Sequence, residues 1–294
     1  MKKKTNGGLV QKFNVFDVII YVVLILFACL TLYPFIYTLA GSLNDAQDLM
    51  YGPIWFFPRQ FTWASYKVEL KDVWLYRSFL NTVLATGATL VGAMLLTSCV
   101  AYAMANRKLK GRKFYWYANL ITMFINGGMI PSYMLIVLIG LYDSFWVYIL
   151  PALYSVYNMI VLQNFFRSID VSLYEAAVLD GANEFRIWLT IYLPISKPAI
   201  ATVGLWIVVA RWNAYMPTML YTNKDKSIWL LQYYLMRLIR EGEVPAIDSG
   251  YAGSVNATTL SFAAIIISSL PILLAYPFIS RFFSKGIMVG SLKG

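Results

Sequence analysis

The chain has no histidine, only two cysteines, and just 13% charged residues. Without histidine, the commonest metal ligand and neutral-pH general base is missing. Cys29 and Cys99 both lie inside apolar runs, so they read as small buried residues and not as a disulfide or metal site. The sequence also lacks a G-x-x-x-x-G-K-[ST] phosphate loop, an H-E-x-x-H pair and a G-x-S-x-G nucleophile turn. No carboxylate falls inside the middle apolar runs. These absences remove every familiar catalytic constellation. They also place the chain far from soluble proteins, which average about 25% charged residues.

What the chain does have is long apolar runs: 60% of it is hydrophobic and 17% aromatic. About 20 consecutive apolar residues suffice to cross a bilayer as a helix. The first run, 15–40, is too long for a secretory leader and lacks its small-residue cleavage site, and Pro34 within it is a tolerated kink. Further runs occupy 78–105, the stretch from Phe114, then 145–166, 200–220 and 260–278. The expected fold is an all-α polytopic membrane protein with six transmembrane helices in one domain, 15–281. The second run carries Ala85, Gly87, Ala88, Gly92, Ala93, Ser98, Ala101 and Ala103, which predicts close packing inside a bundle. The third is interrupted by Asn126-Gly127-Gly128 and Pro131. It either ends at the outer face or breaks within the bundle, leaving 134–141 as a continuation or a surface helix.

The net charge of +10 is a matter of placement. Lys2, Lys3, Lys4 and Lys12 precede the first run. Arg107, Lys108, Lys110, Arg112 and Lys113 crowd one short loop. Arg167, Arg186 and Lys197 lie at or within the loop 168–198, and Arg281, Lys285 and Lys293 follow the last run. The much longer segments 41–76 and 221–257 are poorer in basic residues. The positive-inside bias then makes residues 1–14, the loop 168–198 and the tail 282–294 cytoplasmic, with 41–76 and 221–257 external. The charge is a topology signal, and no nucleic-acid partner is expected.

One long polar, patterned stretch, 174–194, separates the fourth and fifth runs. Ser172 is a candidate N-cap, with Glu175 three residues on to close a capping box. Ala176 and Ala177 give the helix a small-residue face. Gly181 stands where a helix end needs a left-handed residue. A second amphipathic stretch, 185–192, is expected to end before Pro194, because the residue before proline disfavours the α region. The pattern predicts a protruding helix–turn–helix knob. At this spacing Glu175-Ala176-Ala177, Asp180-Gly181 and Ile191-x-Leu193-Pro194 resemble the EAA motif of ABC-importer permeases, and the chain is similar to the maltose-permease-like second subunit of the carbohydrate uptake-1 type. Two weaker likenesses accompany it. Residues 61–66 resemble the F-T-x-x-N-Y segment of sugar permeases, with Ser65 in place of asparagine. The end Gly290-Ser291-Leu292-Lys293-Gly294 resembles that subunit type's lysine-glycine terminus.

The resemblance implies a type I ABC importer permease fold in a bacterial cytoplasmic membrane. It implies a heterodimer with a second permease subunit, and two ATPase subunits engaged by the EAA helix. It further implies an extracellular or periplasmic sugar-binding protein that delivers an oligosaccharide. The chain itself would be no enzyme and bind no cofactor, ATP and Mg belonging to the ATPase partner. The alternative, a self-contained channel or an intramembrane enzyme, leaves the EAA spacing unexplained.

Arg211 stands in the middle of the fifth run, and the spans hold no Asp or Glu except Asp17 at one edge. At helical spacing it shares a face with Ala214, Tyr215 and Thr218, and Asn158 lies midway along the fourth run. Arg211, Tyr215, Thr218 and Asn158 are the substrate-path candidates. The partner of Arg211 is either backbone carbonyls at a helix break, an acid of the second permease, or the substrate. In the last case a uronate-bearing oligosaccharide suits the planar fork of guanidinium donors.

Overall fold

The computed structural model describes residues 15–106, 108–222, 224–242, 245, 249–251 and 253–291. The basic N-terminal stretch, Arg107 and Lys293 lie outside them. Helix α1 (Val15–Ser42) runs unbroken through Pro34. Two short helices, α2 (Ala46–Met50) and α3 (Ala64–Glu69), lead to α4 (Val73–Ala105). Helices α5 (Arg112–Phe124) and α6 (Met129–Leu138) meet at 111°, and two 3₁₀ turns over Phe145–Ala152 meet α7 (Val156–Arg167) at 43°. Then come α8 (Val171–Leu179) and α9 (Glu184–Ile195), which turns by 84° into α10 (Lys197–Trp212). Helices α11 (Met216–Tyr221), α12 (Leu231–Glu241) and α13 (Ala257–Ser291) complete the chain. Six spans result, three as single helices and three as bent pairs, and the described residues form no strand.

Helix α4 is the axis of the bundle. Its buried Ser78, Thr82, Ala85, Thr89, Ala93, Thr97, Ala101 and Met104 recur at steps of three and four, one face of an α-helix. Small residues there let backbones approach, as packing in lipid requires. At Gly92 an added Cβ would stand 2.6 Å from Leu153. Helices α7 and α10 pack on this face, and Met159, Leu162, Phe166, Val203 and Ile207 fill the gap. Helix α1, by contrast, buries none of its apolar window, and approaches α13 closely at Gly41, where a Cβ would lie 2.5 Å from the Phe262 ring.

One open alternative is decided and three expectations change. The third span is broken: α5 ends at Phe124 and α6 restarts after Gly128, whose φ is +85°. At 1.5 Å per residue α5 is about 20 Å long, short of a hydrocarbon core of about 30 Å, so the break falls at membrane depth. The fifth span is also interrupted, at Asn213–Tyr215, because Pro217 opens a new helix from Met216. The helical spacing that grouped Arg211 with Ala214, Tyr215 and Thr218 is therefore not maintained. Cys29 and Cys99 are free, as read, but both are exposed. An apolar run in a membrane helix does not distinguish a lipid-facing position from a buried one. Lastly, the backbone assigned to a tail stays helical as far as Ser291.

A buried acid joins the two long connecting segments. Glu69, at the end of α3, is fully buried, and its Oε2 lies 3.2 Å from the Tyr234 hydroxyl of α12. That hydroxyl lies 2.6 Å from Asp72 Oδ2. One phenolic proton serves one carboxylate at a time, and Asp72 is the nearer. Burial, opposed by the Tyr234 hydrogen bond and reinforced by the Asp72 charge, raises the Glu69 pKa from 4.5 to about 8. The folded chain thus binds this proton more tightly than the unfolded chain does. The resulting stability is complete below pH 4.5 and is lost as pH rises through about 8. Thermal unfolding of the purified chain in detergent should show this decline with rising pH, and Glu69→Gln should flatten it. A wild-type profile that is already flat would disprove the neutral-acid assignment.

Candidate functional site

The stretch between the fourth and fifth spans forms the predicted knob, with two local revisions. Asp170, not Ser172, caps α8: its Oδ1 accepts the Ser172 N–H at 2.9 Å. Ser172 is already helical, so Glu175 closes no capping box. The C-terminal end follows the glycine rule. Gly181 has φ +76°, its N–H donates to Val178 O at 3.0 Å, and the Ala182 N–H donates to Ala177 O at 2.9 Å. These are the paired bonds of a Schellman cap, which satisfies carbonyls the helix leaves open. Asn183 then caps α9 by accepting the Arg186 N–H at 2.8 Å.

Helix α9 does not stop before Pro194. It widens into a π-turn over Trp188–Tyr192, where the Leu193 N–H reaches Trp188 O, and continues to Ile195. The wide turn accommodates a ring that lacks an N–H and crowds the carbonyl four residues back. The chain then turns sharply at the buried Ser196.

The residues of the motif face different ways. Ala177 is buried, whereas Glu175, Ala176, Asp180 and Gly181 are exposed. Ile191 and Leu193 are half-buried, Leu193 against the α4–α7 core, and Pro194 is exposed. Leu173, Leu179 and Phe185 are exposed around Ala176, Leu179 at 87%. Beneath α8 lies a cavity of about 190 Å³, lined by Tyr102, Asn106, Lys108, Arg167, Tyr174 and Glu175 among others. At its edge the Glu184 carboxylate accepts the Tyr102 hydroxyl at 2.5 Å and the Tyr174 hydroxyl at 2.7 Å. Hydrogen bonding to Glu184, with some burial, raises the Tyr174 pKa. The sequence reading missed this cluster, since nothing in the spacing links Tyr102 to residues some eighty positions away.

The path candidates are not brought together. Arg211 is half-buried in the last turn of α10 and has no hydrogen-bond or ion-pair partner among the described residues. Tyr215 lines a groove of about 580 Å³ with Trp212, Asn213, Gln232 and Arg240. Thr218 is fully buried and donates to the Tyr148 hydroxyl at 3.1 Å, next to Thr222. Asn158 is half-buried in the first turn of α7, its N–H on the Ser155 side chain.

Residues 99–289 match the family "Binding-protein-dependent transport system inner membrane component". The chain belongs to that family. It is thus an ABC-importer permease, and its relatives agree in length as well as in sequence. The permease is 35% identical to the polygalacturonan/rhamnogalacturonan transport system permease protein YtcP of Bacillus subtilis (strain 168), over 97% of this chain and 100% of that one. It is 34% identical to Protein LplC of the same organism, over 96% of each. Among solved structures, a bacterial ABC transporter involved in the import of the acidic polysaccharide alginate matches with a TM-score of 0.84 and 30% identity. That match covers 92% of this chain and 96% of the other.

Proposed function

We propose that this permease forms half of the translocation path of an ATP-driven, binding-protein-dependent importer for acidic oligosaccharides released from polysaccharides. The observation that carries the coupling is the knob: a nine-residue helix, closed by a Schellman cap on Gly181, that holds exposed Leu173, Ala176 and Leu179 in a polar loop, with exposed Phe185 following on α9. An apolar patch on a water-facing loop is costly unless a partner covers it. The partner here is a separate ATPase, two copies of which bind ATP and Mg. The permease hydrolyses nothing and binds no cofactor. The basic residues keep the knob and both termini in the cytoplasm of a bacterial cell, with 41–76 and 221–257 outside.

A second permease subunit is implied by the α5–α6 elbow. Only Ile136 is buried along these two helices, yet the backbone breaks between them at membrane depth. Non-helical backbone there must be covered by protein or line a water-filled cavity. The acidic substrate class rests on Arg211, whose guanidinium meets no acceptor among the described residues, and on two relatives, one named for polygalacturonan/rhamnogalacturonan transport and one for import of the acidic polysaccharide alginate. An external binding protein delivers the oligosaccharide.

The decisive experiment purifies the tagged permease with its neighbouring subunits and measures ATP hydrolysis with binding protein and oligogalacturonate. A second permease and an ATPase should co-purify, and hydrolysis should rise with the loaded binding protein. A permease that purifies alone and conducts solute without ATP would instead establish the channel reading.

A further inference from the structure

We infer that Glu184 is a positioning residue, a carboxylate strut that ties the coupling helix α8 to the end of span α4 through Tyr174 and Tyr102. The inference rests on the reading of α8 as the ATPase-coupling helix and adds the route by which its motion reaches the spans.

The geometry is specific. Tyr102 lies in the last turn of α4, Tyr174 in the middle of α8, and Glu184 in the first turn of α9. Each carboxylate oxygen takes one hydroxyl, Oε2 from Tyr102 and Oε1 from Tyr174. A carboxylate only accepts, and a charged acceptor makes stronger hydrogen bonds than a neutral one. The Asn106 side chain also meets Tyr174. The α4 end of the strut is backed by aromatic packing. The Tyr102 ring stands edge-on to Tyr192, with centroids 4.8 Å apart, and Tyr192 in turn meets Phe166 at 5.7 Å.

Helix α8 otherwise has little hold on the bundle. Ala177 is its only buried residue and Tyr174 is half-buried, while the chain enters it at Asp170 and leaves it at the Gly181 turn. Helix α4, in contrast, is packed over its C-terminal half against α7 and α10. A displacement of α8 by an ATPase would reach α10 through the α9 elbow whether or not the strut exists. The strut adds a direct polar tie from α8 to α4, beside the packing of Tyr192 and Leu193 on the α4–α7 core.

The test uses the assembled importer in proteoliposomes, with its binding protein and oligogalacturonate as the probe. Tyr102→Phe and Glu184→Gln should each keep the ATPase subunits bound but import about tenfold less saccharide per ATP hydrolysed. The double variant should lose no more than the worse single, since both break one connection. Glu184→Asp keeps the charge at the start of α9 but is too short to reach both hydroxyls, so it should fail as glutamine does. Unchanged import per ATP in the single variants, additive losses, or full recovery with aspartate would each overturn the strut. Gly181→Val separates this outcome from the coupling reading: if that variant couples normally, the role of α8 itself is wrong. If it uncouples while the strut variants do not, only the strut is wrong.

Discussion

Gly181→Val should abolish coupling while leaving the spans inserted and folded. The residue sits at φ +76°, and no atom lies within 4 Å of the Cβ that a substitution would add. The cost is therefore one of backbone conformation and not of a clash. An L-residue in the left-handed region costs about 1–2 kcal/mol, and a β-branched side chain more. Escape from that strain would break the bonds from the Gly181 N–H to Val178 O and from the Ala182 N–H to Ala177 O, so the end of α8 would unwind. Because Leu179 and Phe185 flank the turn, the apolar face would lose its shape with it. ATPase activity stimulated by loaded binding protein should fall by about tenfold or more, since 1.4 kcal/mol is one factor of ten. Gly181→Asn should be far milder, because asparagine visits the left-handed region. Equal activity in valine and asparagine variants would show that the turn is not what the ATPase reads. Glu175→Ala should also be mild, since Asp170 does the capping.

Much of this site was legible because its determinants are local. A left-handed helix end needs glycine, and the position of Gly181 followed from that alone. The choice of cap was not legible: Asp170 and Ser172 are both cap formers two residues apart, and only the geometry shows Asp170 accepting the Ser172 N–H. The rule that a helix stops before proline failed at Pro194 because a π-turn can absorb the missing N–H. The reverse error occurred in the fifth span. A continuous apolar run concealed the break at Asn213–Tyr215, although Pro217 in the first turn of the next helix was a signal for it. Hydropathy marked the apolar runs, whereas the facing of each helix was not in it. Lipid and protein interior are equally apolar, so Cys29 and Cys99 could not be sorted by pattern. The Tyr102–Glu184–Tyr174 cluster depends on tertiary proximity, which no local rule encodes.

Arg211→Gln should remove transport of acidic oligosaccharides selectively. A guanidinium at membrane depth costs about 2.5–3.5 kcal/mol on insertion scales, so it persists only with a partner or with water. Its position in the last turn of α10 supplies part of the answer, because a helix C-terminus is partially negative and favours a cation. That contribution, about 0.3–1 kcal/mol, does not cover the cost. The helix break at Asn213–Tyr215 could have offered free carbonyls, yet the Arg211 carbonyl itself accepts the Ala214 N–H at 3.2 Å, and no acceptor among the described residues meets the guanidinium. Its five donors are therefore left to water, a ligand or an acid from the second permease. Glutamine keeps much of the length and the hydrogen-bonding capacity but removes the charge and the fork. If the ligand is a uronate, Arg211→Gln should cut uptake of oligogalacturonate by about tenfold or more, the scale of a lost charge-assisted pair, and spare neutral oligosaccharides that the importer accepts. Arg211→Lys should recover only part, because a point charge cannot hold a carboxylate in two places. If the partner is an acid of the second permease, the same change should strand that acid in the membrane, and the two permeases should fail to co-purify. Equal loss of acidic and neutral uptake with poor assembly would make Arg211 structural. Selective loss in an intact complex would place it on the path.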